Sequence, residues 1–300
     1  MRRVSKLTAE RLLASPPARH LARRVRRGRC LILAYHNITA GRVEAGDRSL
    51  HLPFDQFRQQ LDELSTLQVV SLRQALDSSG EDPPAVVLTF DDAYAGAVTW
   101  ALPELMARGY PATVFVAPGI LGRRAMWWDL LAGPTGGVGA ELRHQCLDEL
   151  AGDHGVVMAT ASKLGWPVGE IREHFRIASE TELDAALIGD GITLGVHSWS
   201  HPNLAAARGT TLDAQLVRPL EWLQARWPRH TCPWLAFPYG IPFSDTSSLL
   251  QSGLGPGLLA SGGWLTPGMG TDRPLPRLTV PAGLSRAGFR ARTMGLWPCR

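Results

Sequence analysis

Two short stretches hold side chains whose types and spacing could do chemistry together. Thr89-Phe90-Asp91-Asp92 closes an apolar run, so two adjacent carboxylates stand where a strand passes into a loop. Carboxylates beside an apolar strand are costly unless a cation or a hydrogen-bonding partner uses them. His197-Ser198-Trp199-Ser200-His201 follows the apolar run Ile192 to Val196, and a four-residue step would set both imidazoles on one side of a helical turn. Two imidazoles and one carboxylate form the donor set of an open zinc site, where a metal polarises a carbonyl and lowers the pKa of water toward neutrality. Each stretch has a plainer reading: an acid at a strand end caps a helix, and an HxxxH pair is common among histidines that bind no metal. Their co-occurrence points to metal-assisted hydrolysis.

Two further polar clusters end apolar runs. Phe237-Pro238-Tyr239-Gly240 reads as a tight turn in which proline restricts the backbone and glycine admits close approach. Tyr35-His36-Asn37 ends the run Cys30 to Tyr35. In a fold whose parallel strands all present their carboxyl ends to one face, these clusters share a rim with the Asp and His stretches.

The elements that must position them follow from periodicity. Apolar runs at Cys30–Tyr35, Val69–Leu72, Ala85–Phe90, Ala112–Ala117, Ile192–Val196 and Trp234–Phe237 predict strands buried on both faces, and residues 258–280 predict two more. Phe54, Phe57, Leu61 and Leu64 recur at helical spacing after Pro53; Tyr94 to Arg108 and Leu212 to Trp227 also read as helices. The alternation is α/β, a barrel or a doubly wound sheet. Residues 119–187 break the rhythm with Trp127-Trp128, a glycine-rich stretch Gly133 to Gly139, and helical patterns near 141–150 and 180–187; they read as an insertion in the domain spanning 30–300. Trp127, Trp128 and Trp199 suit either sugar stacking or core packing.

With 300 residues, 45% hydrophobic, the chain can bury the core of one catalytic domain. Its four cysteines form no CxxC pair, which argues against a cysteine-built zinc site and a disulfide framework. Residues 1–29 carry ten Lys/Arg and one acid, and the remainder 21 Lys/Arg against 26 acids, so a basic arm precedes an acidic body. Leucines interleaved with arginines would let that arm lie on an anionic membrane surface, with a solvated tail as the alternative. No aromatic residue interrupts the arm, which disfavours nucleic acid. The stretch lacks the apolar segment of a secretory signal, so a cytoplasmic location is expected, with the arm reaching the inner membrane face.

From the arm onward the sequence resembles the polysaccharide deacetylases with the NodB-homology domain, carbohydrate esterase family 4. Thr89-Phe90-Asp91-Asp92 matches the family's first motif, with Ala93 in place of its usual glycine, and His197, Ser198 and His201 match its second. The resemblance implies a distorted (β/α) barrel of about seven strands with Asp91 as base. It implies Asp92, His197 and His201 as ligands to a divalent metal, for which an open three-ligand site points to zinc, and the backbone N–H of Tyr239 as an oxyanion donor. The third motif, Ala236-Phe237-Pro238-Tyr239-Gly240, has alanine where arginine is usual, and no histidine follows His230 to supply the late acid. Tyr35-His36, Trp127-Trp128 and Leu275-Pro276-Arg277-Leu278 resemble a subgroup acting on exopolysaccharide or poly-N-acetylglucosamine. That resemblance gives His36 the role of acid and lets Arg277 replace the missing arginine. The expected activity is removal of N-acetyl groups from a glycan; the rivals are a carbohydrate-binding pseudoenzyme and a metal-dependent hydrolase of another amide or ester.

Overall fold

In the computed structural model, residues 28–77, 83–243, 246–255, 257–266, 269 and 273–295 are described. The basic arm therefore lies outside the described residues except for Gly28 and Arg29. The apolar runs form strands β1 (Cys30–Tyr35), β2 (Asn37–Thr39), β3 (His51–Pro53), β4 (Gln68–Val69), β5 (Ala85–Phe90), β6 (Ala112–Val116), β7 (Ile192–Val196), β8 (Thr231–Ala236), β9 (Gly257–Gly262), β10 (Trp264–Leu265) and β11 (Leu275–Thr279). Seven of them, in the order β1, β5, β6, β7, β8, β9 and β11, pair in parallel, and β11 returns to β1 to close a barrel. This is the distorted (β/α) barrel expected. β4 hangs on β5, β10 runs antiparallel beside β1, and β2 and β3 form a separate parallel pair that the periodicity did not suggest.

Strand alternation divides the core into two layers. Leu31, Leu33 and Tyr35 of β1 and Val86, Leu88 and Phe90 of β5 point outward to the helices, whereas Cys30, Ile32 and Val87 belong to the inner cluster with Phe115, Trp234 and Leu258. The helix Phe54–Leu64 lays Phe57, Leu61 and Leu64 on the outer layer, and Phe57 meets Tyr35 edge-on at 5.4 Å. Each of these fully buried side chains contributes roughly 1.5–3 kcal/mol of apolar burial. Gly195 leaves room for the Phe115 ring, which a Cβ there would meet at 2.5 Å.

Three local expectations are modified. Val69 ends β4, and Leu72 opens a short helix capped by Ser71 and Gln74 instead of extending the strand. The segment predicted as one helix over Tyr94–Arg108 starts as a π turn, Ala97–Ala101, and becomes α-helical at Leu102–Ala107; Pro103, which has no N–H to donate, sits at that change. Residues 119–187 carry the short helices Trp127–Leu130, Ala140–His144, His154–Leu164 and Glu180–Ala186. Trp127, Trp128, Cys146, Leu147, Val157 and Ala161 pack around Tyr94 in a cluster of their own. Backbone bonds from Ala178 N to Ala93 O and from Ala95 N to Arg176 O fasten this segment to the loop that follows β5. No helix among the described residues is long and apolar enough to cross a membrane.

Candidate active site

Strand register carries Asp91 to the mouth of the barrel. Val87 and Thr89 face inward, so Asp91, two residues on, does too, and it is buried. From the opposite wall, Arg277 on β11 points into the same interior and is 0% exposed. Its guanidinium donates to both Asp91 oxygens, at 2.8 and 2.7 Å, and further to Thr89 Oγ1 and Leu259 O. Burial by itself would raise the Asp91 carboxyl, but the Arg277 charge, with His197 and His36 nearby, holds it below the usual carboxylate range. Asp91 is thus an ionised, oriented acceptor.

Asp92 faces elsewhere because its backbone is left-handed (φ 68°), as is that of Ala93 (φ 54°). The alanine that stands in place of the usual glycine therefore occupies a conformation that costs a non-glycine residue roughly 1 kcal/mol. Asp92 Oδ1 lies 3.0 Å from His201 Nε2 and 3.3 Å from His197 Nε2, and the two Nε2 atoms are 3.1 Å apart. The four-residue step does not act through a helical turn. His197 to His201 is a loop in which Ser198 (φ 63°) and His201 (φ 62°) are left-handed, and Ser198 Oγ accepts the His201 N–H. Left-handed non-glycine residues are concentrated at this site, Tyr239 included (φ 59°), as expected where a site over-determines its backbone.

The three donors fit a cation. All are buried, their ligand atoms lie within 4.8 Å of one another, and Asp92 Oδ1 has no hydrogen-bond partner among the described residues. His197 Nδ1 bonds the Ala236 carbonyl at 2.8 Å, which leaves Nε2 as the lone-pair atom turned to the site. Burial tends to raise the Asp92 carboxyl, yet the two imidazoles hold it well below its usual range. Burial lowers His201; it also pulls His197 down, but Asp92 and Asp91 outweigh it and hold His197 above its usual value.

A cavity of about 290 Å³ opens over this group, and His36, Asp92, Trp128, His201 and Tyr239 line it. The structure thus brings together all seven residues singled out in the sequence. The Tyr239 hydroxyl is already committed, accepting from Trp127 Nε1 (2.9 Å) and donating to Gly152 O (2.8 Å). What remains is its backbone N–H, at the start of the 3-10 turn Pro238–Gly240, where an N–H has no acceptor within the helix. Trp127 is fully buried, Trp128 lines the cavity against His201 (4.9 Å between rings), and Trp199 is away from it, beneath Arg218.

Sequence reasoning missed the buried support beneath the cavity. Asp129 accepts from His51 Nε2 (2.8 Å), Tyr94 OH (2.7 Å) and Asp47 N (3.0 Å); Tyr94 OH accepts from Trp128 Nε1, and Asn37 Nδ2 meets His51 Nδ1. This chain links the neighbour of His36 to the ring against His201. Its only sequence signal was a charged residue directly after the Trp127-Trp128 pair.

Residues 78–255, more than half of the chain, match the family model for polysaccharide deacetylase. Asp91, Asp92, His197, His201 and Tyr239 fall inside the match; His36 and Arg277 fall outside it. No curated protein matches in sequence. Among solved structures, the chain is similar to the Streptococcus pyogenes deacetylase PplD in complex with acetate (17% identity, TM-score 0.61, covering 88% of this chain and 98% of that one). It is similar also to IcaB from Ammonifex degensii (17%, 0.59, 89% and 97%) and to the polysaccharide deacetylase BC0361 from Bacillus cereus (12%, 0.64, 88% and 69%). These likenesses are of fold, whereas the matched segment carries the Asp pair and the HxxxH pair in order, at the ends of β5 and β7, the two strands that flank β6. The chain belongs to the polysaccharide deacetylase family, enzymes that act on N-acetylated polysaccharide.

Proposed function

We propose that this chain removes N-acetyl groups from a glycan by metal-dependent hydrolysis, in a domain spanning residues 30–300 with an insertion at 119–187. The observation that carries the reading is the buried Asp92, His197 and His201 group beside an Asp91 held ionised by Arg277, under one cavity. Those three residues would hold a divalent ion, zinc by donor type, which when bound supplies Lewis acidity to the acetamide carbonyl and to water.

Around that ion the chain's own groups divide the work. Asp91 takes a proton from the attacking water, and Arg277, always charged, keeps the carboxylate ionised and aimed. Arg277 thereby fills the place left by Ala236. The Tyr239 N–H faces the negative charge that develops on the carbonyl oxygen. His36, half-buried on the cavity wall, donates a proton to the departing sugar nitrogen, so that the C–N bond breaks to give acetate and a free amine. Trp128 offers an aromatic wall to the sugar.

The direct test is acetate release from N-acetylglucosamine oligomers by zinc-loaded protein. Wild type should turn over and Asp91→Asn should be reduced by about 10²- to 10⁴-fold with metal still bound. His36→Ala should lower kcat by about 10²- to 10⁴-fold with metal still bound; near-normal turnover would remove His36 from the scheme.

A further inference from the structure

The cavity over the Asp92, His197 and His201 group has two charged lining residues that the proposed chemistry leaves idle, Asp47 and Arg143. Asp47 turns Oδ1 back on its own loop, where it accepts from Ser49 N and Ser49 Oγ. Arg143 differs. It stands in the last turn of the helix Ala140–His144, and Cys146 and Leu147, directly after it, are buried in the cluster that includes Trp127 and Trp128. Its backbone is therefore anchored while the side chain, half-buried, borders the cavity close enough for its charge to act on the Tyr239 hydroxyl. Among the described residues its guanidinium has no carboxylate within ion-pair distance and no hydrogen-bond acceptor.

The other charges of the site are spoken for. Asp91 is matched by Arg277, and Asp92 is shared by two imidazoles. Arg143 is the cationic side chain lining this cavity that is left with its donors free, and a guanidinium presents a planar fork suited to two oxygens of one carboxylate or phosphate. At about 290 Å³ the cavity sits at the lower bound for small-ligand sites, so a sugar placed with its acetamide over the Asp92 group keeps its neighbouring substituents near the cavity wall.

We propose that Arg143 is a specificity-determining residue that selects an anionic glycan, one in which the N-acetylated sugar or its immediate neighbour carries a carboxylate or a phosphate. The inference rests on the deacetylase reading above for its turnover test, but its binding test does not. The recognised chemistry is a pair of anionic oxygens on one group facing the guanidinium; the carboxylate of uronic acids and the phosphate of phosphorylated sugars both supply it.

Three probes separate the sources: the neutral hexamer of N-acetylglucosamine, a hyaluronan hexasaccharide that alternates N-acetylglucosamine with glucuronate, and N-acetylglucosamine 6-phosphate. Each is tested for equilibrium binding to zinc-loaded wild type, Arg143→Gln and Arg143→Glu, and for acetate release. Wild type should favour at least one anionic probe over the neutral one, with an advantage that shrinks as salt is added. In Arg143→Gln the ratio of anionic to neutral binding should fall by about 10- to 100-fold, the range for truncating one partner of a partly desolvated charge pair. Arg143→Glu should reverse the preference. Equal binding of all probes to wild type, or an equal loss for neutral and anionic probes in Arg143→Gln, would overturn the proposal. If no probe releases acetate while the anionic preference and its loss in Arg143→Gln persist, the deacetylase reading fails and the role of Arg143 stands. Thermal unfolding of both variants close to wild type is the expected control, since the side chain has no internal partner to lose.

Discussion

Replacing Arg277 by methionine should destabilise the fold strongly, because it leaves a buried charge behind. Arg277 is 0% exposed and the Asp91 side chain 5% exposed, and two bonds of 2.8 and 2.7 Å join them. Methionine fills most of the volume but provides no donor, so Asp91 becomes a buried, unpaired carboxylate. Breaking one side of such a pair costs about 3–5 kcal/mol. For a chain of this size that is a fall of roughly 5–8 °C in melting temperature. The Asp91 carboxyl should also rise: burial already pushes it up, and the Arg277 charge is the largest influence opposing that. Less of the base is then ionised at a given pH, so the acid limb of the pH–rate profile should move to higher pH, and raising the pH should recover part of the activity. The decisive assay is a double-mutant cycle by calorimetry. Arg277→Met with Asp91→Asn should be more stable than Arg277→Met alone, since the unpaired charge is gone, yet remain inactive. Additive losses, or an Arg277→Met variant within 1 kcal/mol of wild type by the measure of a buried pair, would refute the argument that Arg277 holds Asp91.

Elemental analysis should find one divalent metal per chain, and His197→Ala should abolish it, since two ligands rarely retain what three hold; chelation should lower the melting temperature of wild type and leave that of His197→Ala unchanged. Asp129→Asn should cost about 1–3 kcal/mol because three donors converge on that buried carboxylate, and its kcat should fall as the Trp128 wall loosens; an unchanged melting temperature would show the chain to be dispensable. Glu63 gives the stability a pH signature: burial tends to raise its carboxyl, but hydrogen bonds from Arg290 and Arg286 hold it below its usual value. Its contribution is then fully present above about pH 4.3 and is lost as pH falls through the lowered value, so Glu63→Gln should flatten the stability curve in that acidic window and nowhere above it. Deleting residues 1–26 should spare acetate release from soluble oligomers while weakening attachment to anionic vesicles, and wild-type attachment should decline with salt; vesicle binding that survives the truncation would place the contact elsewhere.

How much of this was legible in the sequence depends on how local each signal is. Continuous apolar runs announced the barrel strands from Cys30–Tyr35 to Ile192–Val196, because a strand buried on both faces has no polar alternation to show. Residue type and order announced the chemistry at Asp91, Asp92, His197 and His201, since metal coordination and proton transfer depend on which atoms a side chain carries. The manner of convergence was not legible. His197 and His201 meet through left-handed loop residues and not along a helix, a backbone choice that spacing alone does not encode. Strands of two or three residues such as β2 and β3 are too short for periodicity.

The resemblance pointed to Arg277, but tertiary structure decided how partners that lie far apart along the chain meet. Arg277 reaches Asp91 across 186 positions only because β11 closes the barrel against β1 and period-2 alternation turns both side chains inward. His51 finds Asp129 across 78 positions, and Tyr94 joins them from a third segment. Each of these contacts is a property of ring closure and register, which depend on the whole set of strand pairings at once, whereas the residue types that do the chemistry are written one position at a time.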